Sequence, residues 1–388
     1  MDSFKFLPSS LDDLVKNLHN DGIDHFKYTK HTFGDNDPNI FKKGIFPYEH
    51  LTNRDVFEQT SLPPRESFYS QLKMEGISEE QYERAQLMWN RYGCQNMQHY
   101  HDLYLTLDVK LLADVMENFR RVGLQEYGLN PAQCWTLAGY TWQCCLKMTK
   151  MQLQLITDPN IFLFFENAIR GGVSTVSNRY AKANNKYLNK FDSSQPSSYI
   201  LSYDVVNLYG YCMLSKLPCG KFRFLDEPEK FDYRSVQVDG DTGYLLEVDF
   251  VYPTELHDVH SDLPLAPQHM KVTPEMLSDY NTDPNFRGQT SLIPNLYDKS
   301  KYVLHIKNLQ LYTELGLKVA KIHKVLAFEQ RAFLSPYIQF NTEKGRLARS
   351  GFEKDFFKLM SNAVYGKTIE QMRDRTHIRL ISDQQVAK

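Results

Sequence analysis

The hydrophobic pattern changes period once along this chain, and that change limits the fold more than any other feature. Up to about residue 170, apolar residues recur at helical spacing. SSLDDLVKNL places Leu11, Leu14 and Leu18 on one face behind a capping Ser9 or Ser10, and residues 79–92 and 101–127 continue the pattern. The longer of these segments stops at Gly128, with Pro131 just beyond, as helices stop. Residues 131–169 read as mostly helical, broken at Pro159 and ended by Gly171 and Gly172. A lysine- and asparagine-rich linker follows at 182–198. Beyond it, 199–205 (YILSYDV) and 243–252 (GYLLEVDFVY) have the length and composition of strands, 254–300 is turn-rich, and 351–365 is helical again. The expected division is a mostly helical part, 1–190, and an α+β part, 191–388.

A chain of 388 residues that is 42% hydrophobic and 24% charged has the length for two or three packed domains and is not a disordered polymer. No run approaches the ~18 apolar residues of a membrane span, and MDSFKFLPSSLDDLV lacks the basic-then-apolar order of a signal peptide. An intracellular protein without a membrane partner is therefore expected. Cys94, Cys134, Cys144, Cys145, Cys212 and Cys219 form no CxxC pair, which argues against a disulfide framework or a structural zinc site. The formal net charge of -2 hides an asymmetry, because residues 299–388 carry net +9 and residues 1–298 net -11. A basic stretch on an acidic remainder points to a phosphate-rich partner; a solvated basic face is the plainer account.

Three places break the pattern with chemistry. In HDLYLTLDVKLLADVMENF, Tyr104, Asp108, Leu111, Leu112 and Val115 fall in one arc about 100° wide, so Asp108 points where the core belongs and needs a partner or a metal. Its plainer account is an aspartate at the edge of the stripe. Asp204 ends the apolar run YILSYDV ahead of a turn with Tyr209 and Gly210, a position that suits a metal carboxylate, with the Val205 carbonyl as a further oxygen for Mg²⁺. A turn-initiating aspartate is the common alternative. In GFEKDFFKLMSNAVYGK, Lys354, Lys358, Ser361 and Tyr365 line up on one face, and Phe352, Phe356, Leu359 and Ala363 cluster on the other, with Gly366 ending the helix. Two lysines at i, i+4 repel, and a bound polyanion offsets that repulsion.

Together these residues resemble the protein-primed branch of family B DNA polymerases. YDVVNLYG is similar to that family's motif A (Dx2SLYP) and KLMSNAVYGK to its motif B (Kx3NSxYG), in the family's order and with Asp204 and Lys358 154 residues apart. MDSFKFL is similar to the (S/T)Lx2h exonuclease segment, KGIF to the Kx2h lysine, YLTLD to the Yx3D exonuclease motif and AIRGG to the YxGG motif between exonuclease and polymerase. Departures stand at Asn207 for serine and Gly210 for proline in motif A, Ile169 for the YxGG tyrosine, and Ala363 for serine in motif B.

The resemblance implies an α+β fold made of the C-terminal part of an RNase H-like 3′–5′ exonuclease domain, then palm and fingers with an insertion of the terminal-protein region type between motifs A and B. It implies template-directed deoxynucleotide addition by two-metal phosphoryl transfer, with a Mg²⁺ pair, primer-template DNA, deoxynucleoside triphosphates and a terminal protein as partners. Residue by residue, Asp204 and Val205 hold metal, and Tyr209 lies under the incoming sugar. Lys358, with Lys354 nearby, meets the triphosphate, and Asn362, Tyr365 and Gly366 line the nascent base pair. Tyr104 and Asp108 belong to the exonuclease, with Asp108 toward metal and Lys43 assisting. Ser3, Phe4, Arg170, Gly171, Gly172 and Lys367 meet DNA.

The family's DxE and YxDTD motifs are absent from the sequence, since YNTD at 280–283 precedes motif B and is only a lookalike. A vestigial exonuclease and little polymerisation by residues 1–388 alone are therefore expected. Two alternatives remain at this level, a non-catalytic DNA-binding protein and an exonuclease alone. The first predicts steeply salt-dependent DNA binding that Asp204→Ala leaves unchanged. The second predicts a nuclease that Asp108→Ala abolishes.

Overall fold

Local chemistry sets the helices. In the computed structural model, which describes residues 2–171, 173–205, 207–278, 280 and 286–375, Ser10 caps α1 (Leu11–Asn20) by accepting from the Asp13 amide. α2 (Lys27–Phe33) follows, and a capping box of Ser78 and Gln81 starts α3 (Glu79–Arg91). α4 (Met97–Tyr127) begins one turn earlier than its periodicity suggests because Asn96 caps the His99 amide, and it ends at left-handed Gly128. Thr136 caps α5 (Leu137–Thr149). Pro159 opens α6 (Pro159–Ala168) at its first position and does not break a helix there. The remaining helices are α7 (Leu208–Met213), α8 (His257–His260), α9 (Ile306–Glu314), α10 (Ser335–Leu347) and α11 (Gly351–Thr368). Among the described residues no helix is long and apolar enough to cross a membrane.

The chain groups into two units, Met1–Lys150 with Leu334–Lys388, and Met151–Phe333. This differs from one division near residue 190, because α10 and α11 return to pack on α1 and α5. In the helical unit, Phe119 of α4 is fully buried, edge-on to Phe6 and to Phe356 of α11, with centroids 6.2 and 5.1 Å away. The face α11 buries is rotated from the expected one. Phe352 and Phe356 are buried, but Leu359 and Ala363 only partly, and Phe357, Met360, Val364 and Ser361 complete the buried face. The cause is packing from two directions, by α10, where Phe340 meets Phe357 edge-on, and by α5. Gly366 lies inside the last turn and does not end the helix.

The second unit is built on an antiparallel sheet in the order β1-β6-β2-β5, from β1 (Leu217–Phe224), β2 (Thr242–Val251), β5 (Lys299–His305) and β6 (Lys318–Arg331); β3 (Gln268–Val272) pairs with β4 (Gln289–Ile293) in a separate hairpin. Alternation along the strands buries Leu246, Val248, Phe250, Leu304 and Val325 on one face. On the other, Leu245, Val303, Leu326 and Phe328 are covered by Phe164 of α6. Residues 199–205 do not form the expected strand. They are exposed, and no strand among the described residues pairs with them.

At the start of β5, Lys299 is buried, its ammonium donating to the Asn295 carbonyl at 3.1 Å and to the Asn295 side chain. Burial pulls this amine down from 10.5 to about 8. Between those two values the unfolded chain holds a proton that the folded chain has released, so stability contributed by this site rises with pH in that window. Urea unfolding at about pH 7.5 and about pH 9.5 is expected to show that gain in the wild type and not in Lys299→Met. An equal response in both proteins would remove Lys299 as its source.

Candidate functional site

The densest polar cluster predicted from the sequence forms where the loop carrying Lys43 crosses α4. The Lys43 ammonium lies 3.1 Å from Asp108 Oδ2 and donates to the Tyr104 hydroxyl at 3.2 Å. The Gly44 amide donates to the other oxygen, Asp108 Oδ1, at 3.1 Å. The inward-pointing carboxylate thus has the partners its position demands. Tyr104 is stacked on Phe46 at 4.9 Å and meets Tyr48 edge-on, and the two phenols touch through their hydroxyls. Burial first, then the hydrogen bonds with Tyr48 and Asp108, push the Tyr104 phenol far above its ordinary value, so it stays a neutral donor. A single Gly44 methyl would fall 2.5 Å from the Tyr104 ring, which explains the glycine.

Sequence reasoning brought Lys43, Tyr104 and Asp108 together but missed Gly44, Tyr48 and Arg84. Arg84 of α3 donates to the Lys43 carbonyl at 2.7 Å. None of the three carries a periodicity or motif signal. They meet the cluster only because α3 and the loop fold onto α4.

Nearby on the chain, Asp2 caps the turn Ser3–Lys5, and Phe4 is 65% exposed, which leaves its ring open to a ligand. Lys5 lies over the Trp135 ring at 4.4 Å.

On α11, Lys354, Lys358, Asn362 and Gly366 form one exposed row at i, i+4 spacing, and neither lysine has an ion pair among the described residues. Tyr365 is half-buried, and Ser361 turns inward, away from the polar face expected for it. Lys358 and Asn362 border a pocket floored by Leu14 and Phe119, and its rim is tied by a 3.0 Å hydrogen bond from Asn17 to Asp355. Lys367 is paired with Glu370.

In the sheet unit, Asp204 and Val205 are exposed on the segment before α7. Asn207 adopts a left-handed conformation and caps α7, its side-chain oxygen accepting from the Gly210 amide at 3.0 Å. The two departures from motif A therefore compensate each other. Asparagine tolerates the left-handed backbone and needs a donor, and proline at 210 would have none. Tyr209, on the first turn of α7, is 53% exposed. Arg170 is committed to protein, stacked on Tyr302 at 3.8 Å and donating to the Val303 carbonyl, and Gly171 is exposed beside it. Gly172 lies outside the described residues, as do three of the four YNTD residues.

An Asp204 carboxylate and a Val205 carbonyl are oxygen donors of the kind Mg²⁺ takes. Among the described residues, however, no three His, Cys, Asp or Glu side chains converge, so this donor set does not make a two-ion site on its own.

Comparison with known proteins gives the chain its family. The chain is similar to phi29 DNA polymerase in an orthorhombic crystal form, with a TM-score of 0.48 and 14% identity over 95% of this chain and 48% of that one. It is also similar to phi29 DNA polymerase complexed with primer-template DNA and incoming nucleotide substrates, with a TM-score of 0.45 and 15% identity over 94% of this chain and 48% of that one. The chain thus spans about half the length of the solved structures it matches. No curated protein matches it. The family model described as DNA polymerase type B, organellar and viral, matches residues 1–387, and the chain belongs to that family.

Proposed function

We propose that this chain serves template-directed addition of deoxynucleotides to a protein-primed DNA strand, and that the observation carrying this reading is the exposed row on α11. Lys354 and Lys358 stand one turn apart with no counter-ion among the described residues, an arrangement that costs a few tenths of a kcal/mol unless an anion bridges it. A triphosphate supplies that anion, and Asn362, Tyr365 and Gly366 continue the row toward where a base would stack. Asp204 and the Val205 carbonyl are the chain's own contribution to holding Mg²⁺, which supplies charge neutralisation when bound. Tyr209, on the turn after Asp204, is the ring under the incoming sugar, where it crowds a 2′-hydroxyl.

Lys43, Tyr104 and Asp108 support a second activity of the same protein, 3′–5′ trimming of single-stranded DNA. Lys43 neutralises the Asp108 carboxylate and donates to the Tyr104 hydroxyl, and the open ring of Phe4 is suited to stacking on an unpaired base. Primer-template DNA, deoxynucleoside triphosphates and a terminal protein are the partners this reading requires.

Titration of the full chain with a fluorescent deoxynucleoside triphosphate tests it. Lys358→Ala is expected to weaken binding about tenfold, the loss of one charge-assisted contact of about 1.4 kcal/mol, and Lys354→Ala by less. If Lys358→Ala binds as the wild type does, the reading of α11 fails. DNA binding that falls steeply with salt and ignores both Lys358→Ala and Asp204→Ala would put a non-catalytic DNA-binding protein in its place.

A further inference from the structure

The carbonyl of Lys43 and the amide of Gly44 belong to one planar peptide unit, and both of its ends are held. Arg84 Nη2 donates to the carbonyl at 2.7 Å, and the amide donates to Asp108 Oδ1 at 3.1 Å. A cation on the oxygen of an amide withdraws electron density and makes its N–H a stronger donor, as in any polarised hydrogen-bond chain. The geometry points to Arg84 as a positioning residue that orients the Asp108 carboxylate through the Lys43–Gly44 peptide.

Two further observations agree. Arg84 has no ion pair among the described residues, so the Lys43 carbonyl takes its charged hydrogen bond. Gly44 is where a side chain would break the relay, since a methyl there lies 2.5 Å from the Tyr104 ring and 3.3 Å from Asp108 Oδ1. With Oδ1 held by Gly44 and Oδ2 by Lys43 at 3.1 Å, the carboxylate plane has one setting. Beyond the cluster the loop is anchored separately, because the Tyr100 hydroxyl donates to the Ile45 carbonyl at 2.8 Å.

The functional meaning of this clamp rests on the trimming activity proposed above, but its existence is tested independently. Amide hydrogen exchange of the full chain, read at single residues by NMR, reports the Gly44 bond directly. Arg84→Met is expected to speed exchange at Gly44 about tenfold or more and to leave the residues after the Ile45 anchor unchanged, and Arg84→Lys is expected to recover part of the protection. In an Asp108→Ala background the amide has already lost its acceptor, so adding Arg84→Met is expected to change Gly44 by less than about twofold. Unchanged exchange at Gly44 in Arg84→Met overturns the proposal, and so does a rise spread evenly through residues 42–48, which would mean simple loosening. Digestion of a 3′-labelled single-stranded oligonucleotide addresses the other half. If the wild type trims nothing, or trims equally well after Asp108→Ala, the nuclease reading fails while the clamp is still decided at Gly44.

Discussion

Asp114→Ala is expected to destabilise the helical unit by about 3–5 kcal/mol, a large share of the stability of an ordinary domain. Phe26, the residue in the capping position before α2, has no side chain able to cap, and this leaves the first amides of α2 without local partners. Asp114, in the middle of α4 and 1% exposed, takes that role from a distance. It accepts from the Tyr28 amide at 2.8 Å, the Thr29 amide at 3.0 Å and the Thr29 hydroxyl at 2.7 Å. An anion at a helix N-terminus also meets the positive end of the helix dipole. Alanine would strand three donors, two of them on Thr29, which is itself fully buried. Asp114→Asn keeps one acceptor oxygen and is expected to recover more than half of the loss. Urea midpoints of the two variants check this, and a midpoint for Asp114→Ala within error of the wild type would show that α2 needs no cap from α4.

Alkaline solution is expected to unfold the helical unit through two buried thiols. Burial is the main cause that pushes Cys144 and Cys145 of α5 from 9.0 up to about 12. Both are acids whose folded value lies above the unfolded one, so their contribution is complete below about pH 9 and is lost as pH climbs toward 12. The unfolded chain releases protons that the folded chain must keep, at about 1.4 kcal/mol per pH unit for each thiol, which comes to about 5 kcal/mol for the pair by pH 11. Burial raises the phenols of Tyr127, Tyr140 and Tyr337 in the same unit, and they add to the loss from about pH 10 upward. Unfolding free energies measured at about pH 8 and about pH 10.5 are expected to fall much less in Cys144→Ala/Cys145→Ala than in the wild type. The same slope in both would show that the thiols are not the cause. Lys299, in the sheet unit, works in the opposite direction over part of this range.

How far the molecule could be read from its residues varied with how local each interaction is. α1 and α3 follow from side chains that bond to amides three residues away, and the end of α4 from a glycine free to turn left-handed, so these signals exist in the sequence before any tertiary contact forms. The run at 199–205 has strand composition but no partner strand among the described residues, because a strand is a property of two segments and composition describes only one. α11 was legible as a helix with two lysines on its open face. Its buried face was not, since α5 and α10 decide from outside which residues are covered, and they draw in Ser361 and Phe357 at the expense of Leu359.

The candidate sites divide in the same way. Runs resembling family motifs, in the family's order, pointed from the sequence by itself to the family that the matching model shows, because chemistry repeated at fixed spacing needs no coordinates to recognise. The sequence likewise determined the caps, the long helix and the basic character of residues 299–388. Only the tertiary structure decided that Arg84 holds the Lys43 carbonyl and Gly44 holds Asp108, that Asp114 caps a helix from about 85 residues away, and that Arg170 is stacked on Tyr302. These are bonds between groups distant along the chain, and a hydrogen bond depends on ångström-scale approach that sequence separation does not encode.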